Sequence, residues 1–181
     1  KFSTLIPTIG LVVGGLTAVV KGLSECTREA MEAEVVQVRF ATALSLANVP
    51  ANFINGLSQY ASELQSITGL SDETIKSAMA LGSTMGISAI DMRKAITVAA
   101  DLSAALGVDL NTAMRMLAKG TEGNIELLKR YIPSLKDLNL ESKSTAEILD
   151  LVGQKVNGMA EKMGDTAKGS ANKLKEAFAD L

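Results

Sequence analysis

The chain contains no histidine, no tryptophan, one cysteine (Cys26), three prolines and only 3% aromatic residues. Each shortage removes a class of function. Without histidine the commonest general base is missing, and Cys26 has no imidazole to activate it. The His/Cys spacings of structural zinc sites cannot occur, and one thiol cannot close an intrachain disulfide. A core poor in aromatics must be built from Leu, Ala, Val, Ile and Met. Strand signals, meaning alternating β-branched and aromatic runs joined by Asn-Gly turns, are scarce. One-signed charge is also missing: 18 basic and 20 acidic side chains are intermixed, for a formal net charge of −2. With no basic stripe, direct nucleic-acid binding is not expected.

What is present is helix-forming residues. The 181 residues are 47% hydrophobic, and their unbranched, Ala-rich character favours helices, where such side chains lose little rotamer freedom. The chain opens with Lys1 rather than Met, so we expect a fragment of a longer chain. Phe2 to Val20 carries no charge and is flanked by Lys1 and Lys21. About 19 uncharged residues are just enough for one membrane crossing, although Pro7, several Thr and the glycines lower the hydrophobicity of the stretch. Gly10, Gly14 and Ala18 would place small residues on one helical face, a geometry that lets helices approach closely. The segment reads either as a membrane-contacting helix or as one buried in a protein interior or oligomer. A single Lys and the lack of a small-x-small cleavage site argue against a signal peptide.

Residues 17–47 read as one continuous helix, with Val20, Leu23, Met31, Val35, Val38 and Leu44 as apolar positions. Arg28 and Glu32 lie one turn apart, close enough to pair. Asn48 and Pro50 break the run, Pro50 suiting the first turn of the next helix. Beyond it the helices shorten. Residues 51–67 place Ile54, Leu57, Leu64 and Ile67 on one face, ending at Gly69. Ser71 is an N-cap followed by Asp72 and Glu73, and its helix is expected to run to about Leu81. Ser88 with Asp91 resembles a capping box. Ile96, Ala99, Leu102 and Leu106 form a stripe that stops at Gly107. Asp109 caps a helix carrying Leu110, Ala113, Met114 and Leu117, which Gly120 is expected to stop. Asn124 opens a short helix to Tyr131, closed by Pro133. Residues 133–143 read as a polar connection. Ser144 and Glu147 form a capping box for a helix in which Ile148, Val152, Val156, Met159 and Met163 keep helical steps up to Gly164. Leu174, Ala177, Phe178 and Leu181 mark a last helix.

Candidate chemistry is thin. Asp101, set among apolar residues in AADLSAA, is the carboxylate expected to be most buried. It reads as a catalytic or partner-binding acid, or, preferred on composition, as a carboxylate paired with Arg93 or Lys94 or capping another element. Gly82, Gly86, Gly107, Gly120 and Gly123 lack the spacing and the preceding strand of a phosphate loop and read as helix stops. Met114, Met116, Met159 and Met163 read as core filler ahead of an adaptable binding face. No catalytic, cofactor-binding or metal-ligating residues are expected, no cofactor, and no enzymatic activity.

Three blocks carry a family resemblance: SQYASELQSITGLSDETIKSAMALGSTMG, then MRKAITVAADLSAALGVDLNTAMRMLAKGTEGNIELLKRY, then STAEILDLVGQKVNGMAEKMGDTAKGSANKLKEAF. From about Ala51 to Leu181 their order resembles the tail tape measure proteins of bacteriophages, the middle block carrying most weight. Asp101, Gly107, Asp109, Lys119, Gly123, Leu128 and Arg130 sit where that pattern would have them. Tyr131-Ile132 departs from it, since a Gly-Ile pair is common there, and this puts the turn geometry in doubt.

The resemblance implies a structural virion protein that sets tail length during assembly and leaves ahead of the genome at ejection. The implied location is the phage tail tube lumen or tail tip, after assembly in the bacterial host cytoplasm. The implied partners are the tail tube protein, tail assembly chaperones, baseplate or tail tip proteins and further copies of the chain, with host membrane contact through residues 2–20. The alternative is a membrane-active helical protein, pore-forming or toxin-like.

The expected fold is all-α: a long N-terminal helix or helical hairpin, then a compact array of short helices. The expected domains are residues 1–48, 49–133 and 134–181. A continuous helix of this length would span about 270 Å at about 1.5 Å per residue. The glycine-punctuated region 69–133 is therefore expected to be a folded module, and residues 5–47 the rod.

Overall fold

A computed structural model describes residue 28, residues 31–137 and residues 139–179. The readings made on Gly10, Gly14, Ala18 and the rest of residues 2–20, and on Cys26 and Leu181, lie outside the described residues. The chain divides into two units, Lys1–Val36 and Gln37–Leu181.

The described residues form helices joined by turns and short loops, with no strand among them. Helix α1 covers residues 31–46. It is followed by α2 (Ala51–Thr68), α3 (Asp72–Thr84), α4 (Met92–Leu106), α5 (Leu110–Thr121) and α6 (Ile125–Tyr131). A 3-10 turn at Pro133–Leu135 leads to α7 (Thr145–Val156), α8 (Met159–Gly164) and α9 (Ala167–Ala179). No described helix is long and apolar enough to cross a membrane. In the first unit, Arg28 Nε lies 3.7 Å from Glu32 Oε1 with both side chains exposed, so the pair contributes little.

In the second unit α4 is the spine. Met92, Ala95, Ile96, Val98, Ala99, Ala100, Asp101 and Leu102 are all buried. Five of these are consecutive, so α4 is enclosed on every side at that level rather than on one stripe. It packs against α2, α3, α5, α7 and α8. The core around it uses Leu57, Ile75, Met79, Met114, Leu117 and Leu128, all fully buried. Burial of one such side chain contributes about 1.5–3 kcal/mol, so methionine and leucine supply what aromatics elsewhere would.

Several caps form as spelled in the sequence. The Ser71 side chain accepts from Thr74 N at 3.3 Å, and Asp109 accepts from Thr112 N at 2.9 Å and from its hydroxyl at 2.7 Å. Ser144 and Glu147 make the reciprocal capping box. Gly69 closes α2 with φ 70°, whereas Pro50, expected in the first turn, stands one position ahead of it at the N-cap.

Other expectations need correction. Ser88 does not cap α4: it accepts from Asp91 N at 3.1 Å and donates to the Asp91 carboxylate at 2.7 Å, in a turn that precedes the helix. Gly82 and Gly120 do not stop their helices but lie inside α3 and α5. The helical steps from Ile148 to Met163 are two helices, because Gly158 at φ 73° breaks the chain between α7 and α8. Residues 133–143 are not simply polar, since Leu135 and Leu140 are fully buried. On α1 the buried positions are Phe40 and Leu44, while Met31, Val35 and Val38 are exposed. Ile67, Leu174 and Phe178 are exposed as well.

Candidate functional site

The residues of the family pattern fall on consecutive elements, α4 to α6, but do not converge on one pocket. Gly107 ends α4 in the left-handed region (φ 67°), and Asp109 opens α5 two residues later. Hydrogen bonds to Thr112, side chain foremost, hold the Asp109 carboxyl below its ordinary range. At the other end of α5, the Lys119 carbonyl accepts from Asn124 N at 2.9 Å across the turn that contains Gly123. Leu128 is fully buried, and Arg130 is exposed.

Gly120 belongs with these residues although the pattern omits it. A Cβ built there would lie 2.6 Å from Leu128 Cγ and overlap Leu128 Cδ1. Gly82 plays the same part between α3 and α5, where a Cβ would meet Met114 Sδ at 2.9 Å. Both glycines let a neighbouring helix press a large side chain onto a bare backbone. A sequence alone cannot separate such a contact glycine from a stop.

Asp101 is the one charged side chain among those buried in the described residues, at 6% exposure. Its two proposed basic partners are engaged elsewhere. Arg93 Nη2 donates to the Gly56 carbonyl at 3.1 Å, and its guanidinium lies 5.2 Å over the Tyr60 ring. The Tyr60 hydroxyl in turn pairs with Thr97 Oγ1 at 2.6 Å, clasping α2 to α4. Lys94 pairs with Asp150 of α7 at 2.8 Å. Asp101 instead reaches α8: Oδ1 accepts from Ala160 N at 2.8 Å and Oδ2 from Gly158 N at 3.2 Å. It is therefore a cap supplied by another helix. It satisfies amide donors that a short helix leaves unpaired at its start.

Beside it lies a cleft of about 210 Å³. Ala100, Ser103 and Ala104 of α4 line it, together with Ala160 and Met163 of α8 and residues of the α8–α9 corner. Sequence reasoning found no sign of it, because its walls come from segments far apart in the chain. Its hydroxyls are committed to backbone. Ser103 donates to Val108 O at 2.6 Å, Thr68 to Leu64 O at 2.8 Å, and Thr166 to Met163 O at 2.7 Å. Among the described residues, Lys168 is the only ionisable side chain lining it. Among the described residues, no group of three or more Cys, Asp or Glu is placed to hold a metal ion. Met114 and Met116 are buried as core, whereas Met163 is exposed beside the cleft.

The arrangement is one of packing. Polar side chains hold helix ends, and glycines admit close helix contact. The chain matches no protein-family model, no curated protein and no solved structure.

Proposed function

We propose that this chain is a piece of a phage tail tape measure protein, acting by helix packing in tail assembly, tail length determination and genome ejection. The reading rests on the resemblance of residues 51–181. The observation that supports it best is the use made of Asp101: the one carboxylate buried among the described residues joins α4 to α8, as it would in a structural part. On this reading the second unit is a docking or packing module. The extended ruler belongs to a long helix or hairpin in residues 1–48 and to the rest of the parent chain. Its partners are the tail tube protein, assembly chaperones, tail tip or baseplate proteins and further copies of itself, within the virion tail.

The test is whether the protein is found in purified tails. Mass spectrometry of washed tail particles should detect peptides of residues 51–181, and their absence sinks the proposal. The neighbouring coding sequence provides a second check, since tail tube and chaperone genes should flank a long helical parent. The uncharged run Phe2–Val20 favours the membrane-active alternative. Dye leakage from liposomes caused by this protein, with none of it in tail particles, would select that reading.

A further inference from the structure

The last two helices are attached to the second unit differently from the rest. Among the described residues of 158–179, Ala160 is the one hydrophobic side chain that is buried. Met163, Leu174 and Phe178 are 51%, 61% and 67% exposed. Thus α9, which packs on α8 and α2, turns its large apolar groups outward. Both helices approach the body closely at glycines: a Cβ on Gly69 would meet Gly169 O of α9 at 3.0 Å and Lys173 Cγ at 3.3 Å, and one on Gly164 of α8 would meet Ile67 O at 2.5 Å. The ion pair between Lys173 and Asp165, at 3.2 Å, joins two residues of the segment to each other, not to the body. The 210 Å³ cleft runs along the same seam, so α4, α8 and α9 do not fill the space between them.

To these contacts, which bury little apolar side-chain surface, a buried polar attachment is added. The Asp101 carboxylate, shielded from water, grips Gly158 N and Ala160 N at the start of α8. Hydrogen bonds to an ionised acceptor are about twice as strong as neutral ones. A six-residue helix is not stable in isolation and depends on tertiary contacts such as this one.

We infer that residues 158–179 form a detachable arm, latched by Asp101, which opens as a unit while α2 to α7 stay folded. Opening bares the Ala100–Ala104 side of α4, while the large apolar groups of the arm are exposed already. The inference rests on the fold alone and is independent of the tail assignment.

Native-state hydrogen exchange on the full chain, across low denaturant concentrations, tests it. An arm that opens separately exposes little surface, so the Ala160 and Lys162 amides should exchange with a shallow denaturant dependence. The slowest amides of α3 and α5 should show the steep slope of global unfolding. Met114→Ala, which loosens the distant α3–α5 contact, should accelerate those slow amides and leave the arm amides unchanged. Asp101→Asn should accelerate the arm amides roughly ten- to a hundredfold.

The proposal is overturned if arm amides share the steep slope in the wild-type protein, follow the slow amides in Met114→Ala, or are unmoved by Asp101→Asn. The wild-type slopes decide the matter even if a variant fails to fold.

Discussion

Replacing Gly120 by alanine tests the close contact between α5 and α6. Gly120 lies inside α5 (Leu110–Thr121) and is not among the glycines of positive φ. On helix propensity alone, alanine there should stabilise the protein by about 1 kcal/mol. The geometry opposes this. The new Cβ would sit 2.6 Å from Leu128 Cγ, where carbon atoms prefer roughly 3.5–4.0 Å. Leu128 is fully buried, so it has no free space into which to retreat. Overpacking of this kind costs about 1–3 kcal/mol. Gly120→Ala should therefore be neutral to destabilising by about 2 kcal/mol, the difference of the two terms.

The decisive comparison is made in Leu128→Ala, which itself should cost about 2–5 kcal/mol. With the leucine gone the clash vanishes, and Gly120→Ala should become stabilising by up to about 1 kcal/mol. The sign reversal is a coupling energy that a double-mutant cycle measures directly. Urea unfolding followed by far-ultraviolet circular dichroism gives all four stabilities. If Gly120→Ala has the same sign and size in both backgrounds, the residue is an ordinary helix stop and the packing argument fails.

Gly107 offers the opposite case. A Cβ there meets nothing within 4 Å, but φ is 67°. Gly107→Ala should cost about 1–2 kcal/mol through backbone strain alone, and Gly107→Asn less; equal melting temperatures for glycine and alanine would contradict this. Hydrogen bonds to Thr112 depress the Asp109 carboxyl, and those to Ser144, with Lys143 nearby, depress that of Glu147. Each therefore favours folding when ionised. That contribution is complete above the ordinary carboxylate values of 3.8 and 4.5 and fades as pH falls through the lower folded values. Asp109→Asn and Glu147→Gln should each flatten the acid limb of a stability–pH curve and leave its neutral shape unchanged. A limb as steep as the wild type's in both variants would show that these caps do not couple to protonation.

The contrast between the two glycines also marks how far sequence carries. Caps are local: Ser71, Asp109, Ser144 and Glu147 each bind an amide within three residues, so their meaning is legible in place. The all-helical class follows from composition for a similar reason, since propensity is a property of each residue. Gly82 and Gly120 were not legible, because what they pack against, Met114 and Leu128, lies on other helices. The run from Ile148 to Met163 misled because the chain re-enters a helix in phase after Gly158, keeping the periodicity while losing the continuity. Asp101 stood out as an unusual carboxylate within an apolar run. Its partners are backbone amides 57 and 59 residues away, and backbone amides leave no trace in a sequence. The cleft had no local signal at all.

The position of Asp101 also bears on how the chain is made. The ribosome releases α4 well before α8, and the helices nearest to α4 in sequence can collapse on it first. Until Gly158 and Ala160 emerge, the side of α4 bearing Ala100, Asp101 and Ala104 would lack its α8 neighbour and be exposed to other nascent chains. A carboxylate in the middle of that surface keeps it hydrated and resists its burial against a wrong partner, as gatekeeper charges do. Its desolvation is deferred until the correct amides arrive to take it. The same charge that ends as a latch thus begins as a guard on the unfinished core.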